Sequence, residues 1–221
     1  MNVFQAEASL ITRKVVIFSG GTMVHVRPHF SLCAPAYGKV GDSITKSLTT
    51  FAALARCFGA DYTVEHIKTK MAGGDEVETN EDLGKKLDEV LADPLVSAIV
   101  MAAAICDFEP AGVGWGKDEP RLNSKQPFRM WLSPAEKLID KIKQKRPDIF
   151  LATFKTTSNE SLDTLQYKAT ENLERCGADI VLGNDIKNKY NILVTQRSCV
   201  DFDVRDECLH ALAIAVGKYL K

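Results

Sequence analysis

Five short apolar runs constrain the fold of this 221-residue chain more than any other feature. Most are rich in Val, Ile, Ala or Phe and lack the strict alternation of a strand with one solvated face. Such runs are typical of strands buried on both faces, as in a parallel sheet covered by helices on both sides. We predict strands at 14–18, 62–67, 97–102, 149–154 and 179–182.

Helical patterns separate these strands. Ser133, Pro134 and Glu136 supply a cap, a first-turn proline and an acid at the spacing that starts a helix, and Gly177 suits a helix end. We predict helices at 42–58, 80–91, from 133 onward, 161–176 and 205–220. This alternation favours an α/β fold, a Rossmann-like, doubly wound, mostly parallel sheet with helices on both faces.

One domain, 1–221, accounts for the whole length, because single α/β domains commonly reach this size. Two stretches, about 108–132 and 183–204, do not follow the strand–helix rhythm. We expect both to be excursions beyond the carboxyl ends of the main strands that form a small antiparallel flap. After the first strand, the opening segment 15–41 passes through Pro28 and Pro35, and it is expected to be irregular for about twenty residues before a helix begins.

Charge and apolar patterning exclude several partners. Lys and Arg number 28 against 29 Asp and Glu, a balance that gives no reason to expect nucleic acid or a membrane surface. The longest apolar run, 98–106, is far too short to span a bilayer, and residues 1–14 lack the apolar core of a signal peptide. Six cysteines without a CxxC pair are expected to be reduced thiols, so we predict a cytoplasmic protein.

The glycines after the first strand, SGGT, match neither the GxGxxG fingerprint nor a P-loop. Their context is more informative, because further distinctive segments follow in a fixed order along the chain. These are GKVG (38–41), AAAICDFEP (102–110), RLNSKQPFRMWLSPAEKLI (121–139), LATFKTT (151–157) and GADIVLGNDI (177–186) followed by YNILVT. Together they resemble the phosphopantothenate–cysteine ligase family, the synthetase half of the coenzyme A biosynthesis flavoprotein or its stand-alone form.

The resemblance implies a ligase reaction. In this family a nucleoside triphosphate, CTP or ATP, activates the carboxylate of 4′-phosphopantothenate as an acyl nucleotidylate, and the amine of cysteine displaces the nucleotide. Activation is needed because a carboxylate is a poor electrophile until one oxygen becomes a good leaving group. A divalent ion, normally Mg²⁺, accompanies the anionic substrates. The resemblance also implies a homodimer whose flap strands pair between subunits, and no flavin in this chain.

The resemblance assigns roles to individual residues as well. The residues expected to bind the nucleotide are Gly20, Gly21, Thr22, Ala103, Ala104, Asp107 and Arg175. Those expected to bind the acid substrate are Gly38, Lys39 and Asn184, and those expected to act in catalysis are Lys155 and Arg121. Backbone N–H groups of the glycine segments suit phosphate binding. The plainer alternatives are tight turns, a helix-start turn, a strand-end cap and surface lysines.

Several family positions carry different residues here. Where the family has an arginine and an asparagine that contacts the acyl intermediate, this chain has Phe30 and Ala34. The methyl group of Ala34 cannot donate a hydrogen bond to developing negative charge, and such a donor is worth about 3 kcal/mol in the barrier. A KIK run is replaced by RLN, which ends at Asn123, and a glutamate is replaced by Thr157. We predict a preserved scaffold with a changed ligand or reaction.

Three functions remain open from the sequence. The first is a divergent ligase of this family, and the second is a non-catalytic or regulatory nucleotide-binding module, which Ala34 favours. The third, an NAD(P)-dependent reductase, lacks its glycine fingerprint. His25, His29 and Cys33 recur every four residues, but Pro28 interrupts a helix there and structural zinc needs a fourth ligand, so no metal site is predicted.

Overall fold

The computed structural model describes residues 13–57 and 61–220, which form eleven strands, five α-helices and a short 3₁₀ helix at Lys70–Ala72. The strands are β1 Arg13–Gly21, β2 Met23–Arg27, β3 Phe30–Cys33, β4 Tyr62–Lys68, β5 Val96–Ala104, β6 Phe108–Pro110, β7 Leu132–Pro134, β8 Phe150–Thr157, β9 Ile180–Asp185, β10 Asn191–Val194 and β11 Cys199–Phe202. The helices are α1 Lys39–Arg56, α2 Asn80–Ala92, α3 Asp140–Lys145, α4 Leu162–Cys176 and α5 Arg205–Tyr219.

Seven of the strands form one sheet in the order β11-β10-β9-β8-β5-β1-β4. The five strands predicted from the apolar runs are β1, β4, β5, β8 and β9, and they run parallel. Because β1 lies between β4 and β5, the chain builds the sheet first on one side of β1 and then on the other. This reversal confirms the predicted doubly wound, mostly parallel α/β sheet.

The packing of β1 explains its continuous apolar sequence. Alternate side chains of a strand point to opposite faces of the sheet. Val16 and Phe18 pack in a core with α2, α3 and α4, whereas Val15 and Ile17 pack in a second core with α1 and α5. All four side chains are fully buried. With helices on both faces, no position of this strand meets solvent.

The helix ends follow ordinary capping chemistry. Thr79 and Asp82 form a capping box at the start of α2, and Ser161 accepts a hydrogen bond from a first-turn N–H of α4. Gly177, at φ 66°, ends α4 as predicted. The predicted start of α1 is three residues too late, because Gly38, at φ 79°, is the N-cap and α1 begins at the next residue.

The predicted helix start at Ser133 is wrong. Leu132–Pro134 is strand β7, which pairs with β6 in an antiparallel two-stranded sheet, and α3 begins only at Asp140. The main-chain N–H of Ala135 donates to the carbonyl oxygen of Asp107 at 2.8 Å, which extends this pairing. Cross-strand pairing therefore overrides the local helix-start signal.

The prediction that 183–204 forms an excursion is also wrong. β10 pairs antiparallel with β9, and β11 pairs antiparallel with β10, so the segment extends the main sheet at its edge. The flap expected at 108–132 is present as β6, β7 and the chain between them. We use "the flap" for residues 108–134.

The opening segment contains a β-hairpin instead of an irregular loop. β2 and β3 pair antiparallel, and we call residues 23–33 the hairpin. The guanidinium of Arg27 lies over the ring of Trp115 in the flap at 4.6 Å, and the N–H of Gly116 donates to the carbonyl oxygen of Val26 at 3.1 Å. The hairpin and the flap are thereby held together.

Candidate active site

A cleft of about 960 Å³ opens at the carboxyl ends of β5, β8 and β9. Its rim includes Val40 in the first turn of α1. The segments that line the cleft are 34–36 after the hairpin, 102–107, 136–139, 154–156, 184–186 and 203–205. Ligands of open α/β sheets bind at this edge, so the cleft is the candidate active site.

A row of polar side chains crosses the floor of the cleft. Thr156, Asn184 and Asn191 are lateral neighbours on β8, β9 and β10. The hydroxyl of Thr156 donates to Oδ1 of Asn184 at 3.0 Å. Asn184 and Asn191 are only 7% and 6% exposed, so these amides are fixed parts of the floor. Buried amides at strand ends provide directional hydrogen bonds for a bound ligand.

One end of the cleft contains cations that are already paired. The carboxylate of Asp107 accepts a hydrogen bond from Nζ of Lys137 at 2.5 Å. Arg175 pairs with Asp140 and also donates to Oδ1 of Asn172 at 2.9 Å. We call Asp107, Lys137, Asn172 and Arg175 the Asp107 end. Since its cations are neutralised by carboxylates, this end is suited to hydrogen bonding more than to binding net charge.

The opposite end carries cations without carboxylate partners. Lys189, in the β9–β10 turn, and Arg205, the first residue of α5, both line the cleft, and neither forms an ion pair within the described residues. Nη1 of Arg205 donates to Oδ1 of Asn191 at 3.4 Å. We call Lys189, Asn191 and Arg205 the Arg205 end. Lys155, at the end of β8, lies between the two ends and likewise has no ion pair in 13–57 and 61–220.

A buried carboxylate holds the loops that border the Arg205 end. Asp185 is 2% exposed, and it accepts a hydrogen bond from the hydroxyl of Thr157 at 2.9 Å. It also accepts main-chain N–H groups of Asn159, Glu160, Lys187 and Asn188. Burial alone would raise the pKa of Asp185, but these hydrogen bonds outweigh it and lower the pKa. Asp185 therefore supports the cleft from within.

Comparison with known proteins identifies the family to which this chain belongs. The family model of the DNA/pantothenate metabolism flavoprotein C-terminal domain matches residues 10–212. The chain belongs to this family. The match spans nearly the whole chain and confirms the resemblance predicted from the sequence motifs.

Individual relatives agree with this assignment. The coenzyme A biosynthesis bifunctional protein CoaBC of Thermococcus kodakarensis is 28% identical over 183 residues, which are 81% of this chain and 43% of that protein. The chain thus spans less than half the length of that relative. Among solved structures, the DNA/pantothenate metabolism flavoprotein from Streptococcus pneumoniae has a TM-score of 0.79 at 20% identity, over 94% of this chain and 100% of that one. A Cab2 mutant in complex with phosphopantothenate-cysteine has a TM-score of 0.63 at 17% identity, over 94% and 87%.

This member of the DNA/pantothenate metabolism flavoprotein family brings half of its predicted site residues to the cleft. Those that line it are Ala103, Ala104, Asp107, Lys155, Arg175 and Asn184. Ala34 lines it too, so the position of the family's asparagine borders the cavity with a methyl group. Phe30 lies instead in the hairpin, with its ring edge to face against Phe128 at 5.9 Å.

In the glycine segment after β1, two of the three main-chain N–H groups are already hydrogen-bonded within the chain. The N–H of Gly21 donates to the carbonyl oxygen of Ala36 at 2.8 Å, and the N–H of Thr22 donates to that of Ala104 at 3.0 Å. Neither N–H is therefore free to bind a phosphate. The hydroxyl of Thr22 is also engaged, because it donates to Oδ1 of Asn80 at 2.6 Å.

Close approaches of neighbouring atoms explain why both of these positions are glycine. A Cβ on Gly20, whose φ is 97°, would lie 2.1 Å from Oγ1 of Thr69. A Cβ on Gly21 would lie 2.0 Å from the carbonyl oxygen of Ala34. Only glycine permits these approaches. The absence of a side chain on Gly21 lets the 34–36 rim lie against the end of β1, so this glycine shapes the cleft without lining it.

Three further predicted residues also lie outside the cleft wall. Gly38 is the buried N-cap of α1, and a Cβ there would lie 2.8 Å from that of Ala72. Lys39 is exposed, although the next residue of α1 lines the cleft. Arg121 is exposed in the flap, so within one chain the structure does not place it where a catalytic cation is needed.

The predicted site residues leave out nine polar residues of the cleft, which are Glu136, Lys137, Thr156, Asn172, Asp185, Lys189, Asn191, Asp203 and Arg205. Asn191 and Arg205 reach the cleft because β10 and β11 extend the main sheet, whereas the prediction placed this segment in an excursion. Lys137 reaches it because the segment after β7 is not the predicted helix. One available signal was Asn191 itself, a polar residue that begins an otherwise apolar strand.

Neither a metal centre nor a membrane span is evident in the described residues. In 13–57 and 61–220, no group of three or more His, Cys, Asp or Glu side chains is arranged to hold a metal ion. His25 hydrogen-bonds with Ser31 across the hairpin at 3.0 Å. No helix of the same part of the chain is long and apolar enough to cross a bilayer.

Proposed function

We propose that the chain is a divergent phosphopantothenate–cysteine ligase-like enzyme that uses CTP or ATP to activate a carboxylate, such as that of 4′-phosphopantothenate, for amide formation with cysteine. The observation that carries the proposal is the convergence of Asp107, Lys155 and Asn184 on one cleft. Membership of the family supports it. So does the phosphopantothenate-cysteine complex of a Cab2 mutant that has the same fold.

The proposed reaction consists of two transfers. A carboxylate oxygen of the acid attacks the α-phosphorus of the nucleotide, the bond to the bridging oxygen breaks, and pyrophosphate leaves. The amine of cysteine then attacks the carbonyl carbon, nucleoside monophosphate leaves, and the nitrogen loses a proton. Both steps develop negative charge on oxygen, which cations and N–H donors stabilise.

Lys155 is the cation best placed to stabilise this charge. It ends β8 between the two ends of the cleft, and no described carboxylate neutralises it. Ala103, Ala104 and Asp107 border the same space, where main-chain groups and a carboxylate would bind the ribose or base of the nucleotide. Arg175, already paired with Asp140, would add hydrogen bonds more than net charge.

The cleft fits a magnesium ion that enters with the nucleotide. Mg²⁺ commonly takes one or two carboxylates together with substrate phosphates, and does not require an all-protein cage. Asp107 is an exposed carboxylate of the wall, near the proposed nucleotide position, that would supply such an oxygen ligand. When bound, the ion would offset the charge of the triphosphate.

A coupled assay for pyrophosphate release tests catalysis directly. With CTP or ATP, 4′-phosphopantothenate, cysteine and Mg²⁺, the wild-type chain should turn over. Lys155→Gln should lower kcat by about 100-fold, whereas Lys218→Gln, which removes an exposed charge from the last turn of α5, should not change it. Tight nucleotide binding without turnover, for every pairing of nucleotide and acid, would contradict the proposed catalysis.

A non-catalytic or regulatory nucleotide-binding module is the second candidate. The observation that favours it is the methyl group of Ala34 in the cleft wall, where the family resemblance calls for an amide donor. Under this candidate the chain binds nucleotide and releases no pyrophosphate. Ala34→Asn, alone and with Phe30→Arg, should then create or raise activity. An inactive reversal variant that still binds nucleotide would mean that further groups have diverged.

We further propose that the chain forms a homodimer through the flap and the hairpin. Val113 and Trp131 in the flap are 96% and 85% exposed, and Phe108 and Phe128 in the flap and Phe30 in the hairpin are exposed as well. Large apolar side chains so exposed favour burial against a partner. Light scattering should give twice the mass of one chain, and Trp131→Lys should shift the protein toward monomer. A wild-type monomer at assay concentrations would contradict this proposal.

We also propose a cytoplasmic location for the chain. All six cysteines are free thiols, and Cys33 and Cys57 are exposed, an arrangement suited to a reducing compartment. Fractionation of cells that produce the tagged chain tests this, and recovery in a secreted fraction would contradict it.

A further inference from the structure

The chain between the end of β5 and the flap belongs to no helix or strand. β5 ends at Ala104, whose last partner on β1 is Gly21. The next residues, 105–107, line the cleft and include the carboxylate of the Asp107 end. We call 105–107 the strand-end segment. Because no sheet ladder continues through it, other groups must satisfy its main chain and fix its position.

Two side chains hold the main chain of Cys106, at the centre of the strand-end segment. The N–H of Cys106 donates to Oγ1 of Thr22 at 2.9 Å, and Nδ2 of Asn80 donates to the carbonyl oxygen of Cys106 at 2.8 Å. The hydroxyl of Thr22 donates in turn to Oδ1 of Asn80 at 2.6 Å. Both main-chain polar groups of Cys106 are thus bonded to side chains, and we call Thr22 and Asn80 the clamp.

The hydrogen-bonding groups of the clamp fit in one arrangement. The N–H of Cys106 can only donate and its carbonyl oxygen can only accept, so the amide of Asn80 is fixed in one orientation. Thr22 gives its single hydroxyl hydrogen to Asn80 and therefore meets Cys106 as an acceptor. Thr22 is fully buried and Cys106 is only 6% exposed. Water cannot readily replace a partner that is removed from such a buried network.

Asn80 is not needed to start α2. Thr79 is the N-cap of this helix, and it forms the capping box with Asp82. Asn80 is the first residue of α2, and asparagine is a weaker helix former than alanine. Its side chain is directed instead to Cys106, 26 residues away along the chain. The clamp, more than the helix, therefore explains the residue type at this position.

The clamp acts on Asp107 through the planar peptide bond that joins this residue to Cys106. The carbonyl oxygen of Asp107 accepts a hydrogen bond from the N–H of Ala135 at 2.8 Å, and its carboxylate pairs with Lys137. Asp107 is therefore held on one side by the clamp and on the other by the chain that follows β7. Since its side chain is exposed, a shift of the preceding peptide would redirect the carboxylate within the cleft.

We propose that Asn80, together with Thr22, is a positioning residue of the active site that fixes the direction in which Asp107 enters the cleft. Neither clamp residue lines the cleft, so both act through Asp107. The hold on the strand-end segment rests only on these hydrogen bonds, whereas its effect on nucleotide binding rests on the proposed function. The clamp sets nucleotide affinity and takes no part in either transfer step.

Alkylation of Cys106 tests the hold on the strand-end segment without any ligand. Mass spectrometry follows the rate at which a maleimide modifies each cysteine of the native chain. Asn80→Ala should raise the rate at Cys106 by about tenfold or more, because the hydrogen bonds that keep this segment closed are lost. Cys176, buried at the end of α4, reports opening of the whole fold and should react as in wild type. Equal acceleration at both thiols would overturn the proposal.

Three further variants separate the clamp from the stability of α2. Glu81→Ala removes an acid from the first turn of α2 and its ion pair with Lys85, but it does not touch the clamp. Alkylation of Cys106 should then stay within about twofold of wild type. Thr22→Val, which lacks the hydroxyl, should accelerate it, whereas Thr22→Ser should lie closer to wild type. If Glu81→Ala accelerated it as much as Asn80→Ala, the stability of α2 would explain the effect and the proposal would fail.

A double-mutant cycle tests whether the clamp acts through Asp107. In calorimetry, Asp107→Asn should weaken the binding of CTP or ATP by about tenfold and Asn80→Ala by about fivefold. In the Asp107→Asn background, Asn80→Ala should weaken it by less than about twofold more. Losses that multiply would overturn the action through Asp107. If the wild-type chain binds neither nucleotide while alkylation of Cys106 depends on Asn80, the hold on the segment is supported and the proposed function fails.

Discussion

The Asp107 end and the Arg205 end of the cleft both contain cations, but only the first pairs them with carboxylates. Lys137 and Arg175 are neutralised by Asp107 and Asp140, whereas Arg205 donates to an uncharged amide. A paired cation is fixed in position and contributes little net field, whereas an unpaired cation attracts an anion. The place where a cleft binds an anion is therefore indicated less by the number of its basic residues than by whether each one has a carboxylate partner.

The largest effect is expected at the contact between the 34–36 rim of the cleft and the end of β1. Gly21→Ala would place a Cβ 2.0 Å from the carbonyl oxygen of Ala34, so main chain would have to move and the rim would be displaced. We expect little folded protein by circular dichroism. Gly84→Ala is the control, because its Cβ would lie 3.5 Å from Leu138 and alanine favours the interior of α2 by about 1 kcal/mol. A folded Gly21→Ala variant with wild-type binding would refute this account.

The second-largest effect is expected at Asp185, which holds the loops of the Arg205 end in place and is not one of the groups that would contact a ligand. Asp185→Asn removes acceptors from a carboxylate that holds several main-chain N–H groups. We expect the melting temperature to fall by about 5 °C or more. Asp203→Asn, an exposed residue of the same wall, should shift the melting temperature by less than about 1 °C. Equal shifts in the two variants would contradict the framework role.

At the Asp107 end, we expect a substitution to weaken ligand binding without lowering the stability of the fold. Asp107→Asn removes the charge that pairs with Lys137 and changes the hydrogen bonds available to a ribose or base. Calorimetry should show nucleotide affinity about tenfold weaker and affinity for the phosphorylated acid within about twofold of wild type. Equal losses for the two ligands would mean that the two ends are not separate subsites.

The smallest effect is expected for His66, a residue outside the cleft, and it is an effect of pH on stability. Burial, and then the nearby charge of Lys68, lower the pKa of His66, while Asp42 opposes them. The folded state therefore binds the proton less readily than the unfolded state, so stability is complete above about pH 6.5 and declines as the pH falls through the lower folded-state pKa. Urea midpoints from about pH 8 to about pH 5 should show this decline.

His66→Gln should flatten that profile, whereas His210→Gln, an exposed position of α5, should keep the wild-type slope. Ligand affinities at both ends of the cleft should not follow this titration. If they did, the cleft and the Ser19–His66 hydrogen bond, 2.7 Å long, would be coupled.

Much of the fold could be predicted because residues that are close in sequence determine it. All five predicted strands are present, since a strand buried on both faces must be apolar along its length. The ends of α4 at Ser161 and Gly177 were found because caps depend on neighbouring residues. The same local logic failed at Ser133, where pairing of β7 with β6 decides the conformation. A capping signal worth about 1 kcal/mol does not decide against several cross-strand hydrogen bonds.

The sequence by itself determined the family, the doubly wound sheet and the cleft residues that directly follow its parallel strands, such as Asp107 and Lys155, because strand ends meet at one edge of a sheet. Only the tertiary structure decided which cations have a carboxylate partner. Lys137 and Arg205 look alike in sequence, but the first lies against a carboxylate and the second does not. Pairing between side chains distant in sequence depends on how β7 and β10 are placed, and no local pattern specifies that.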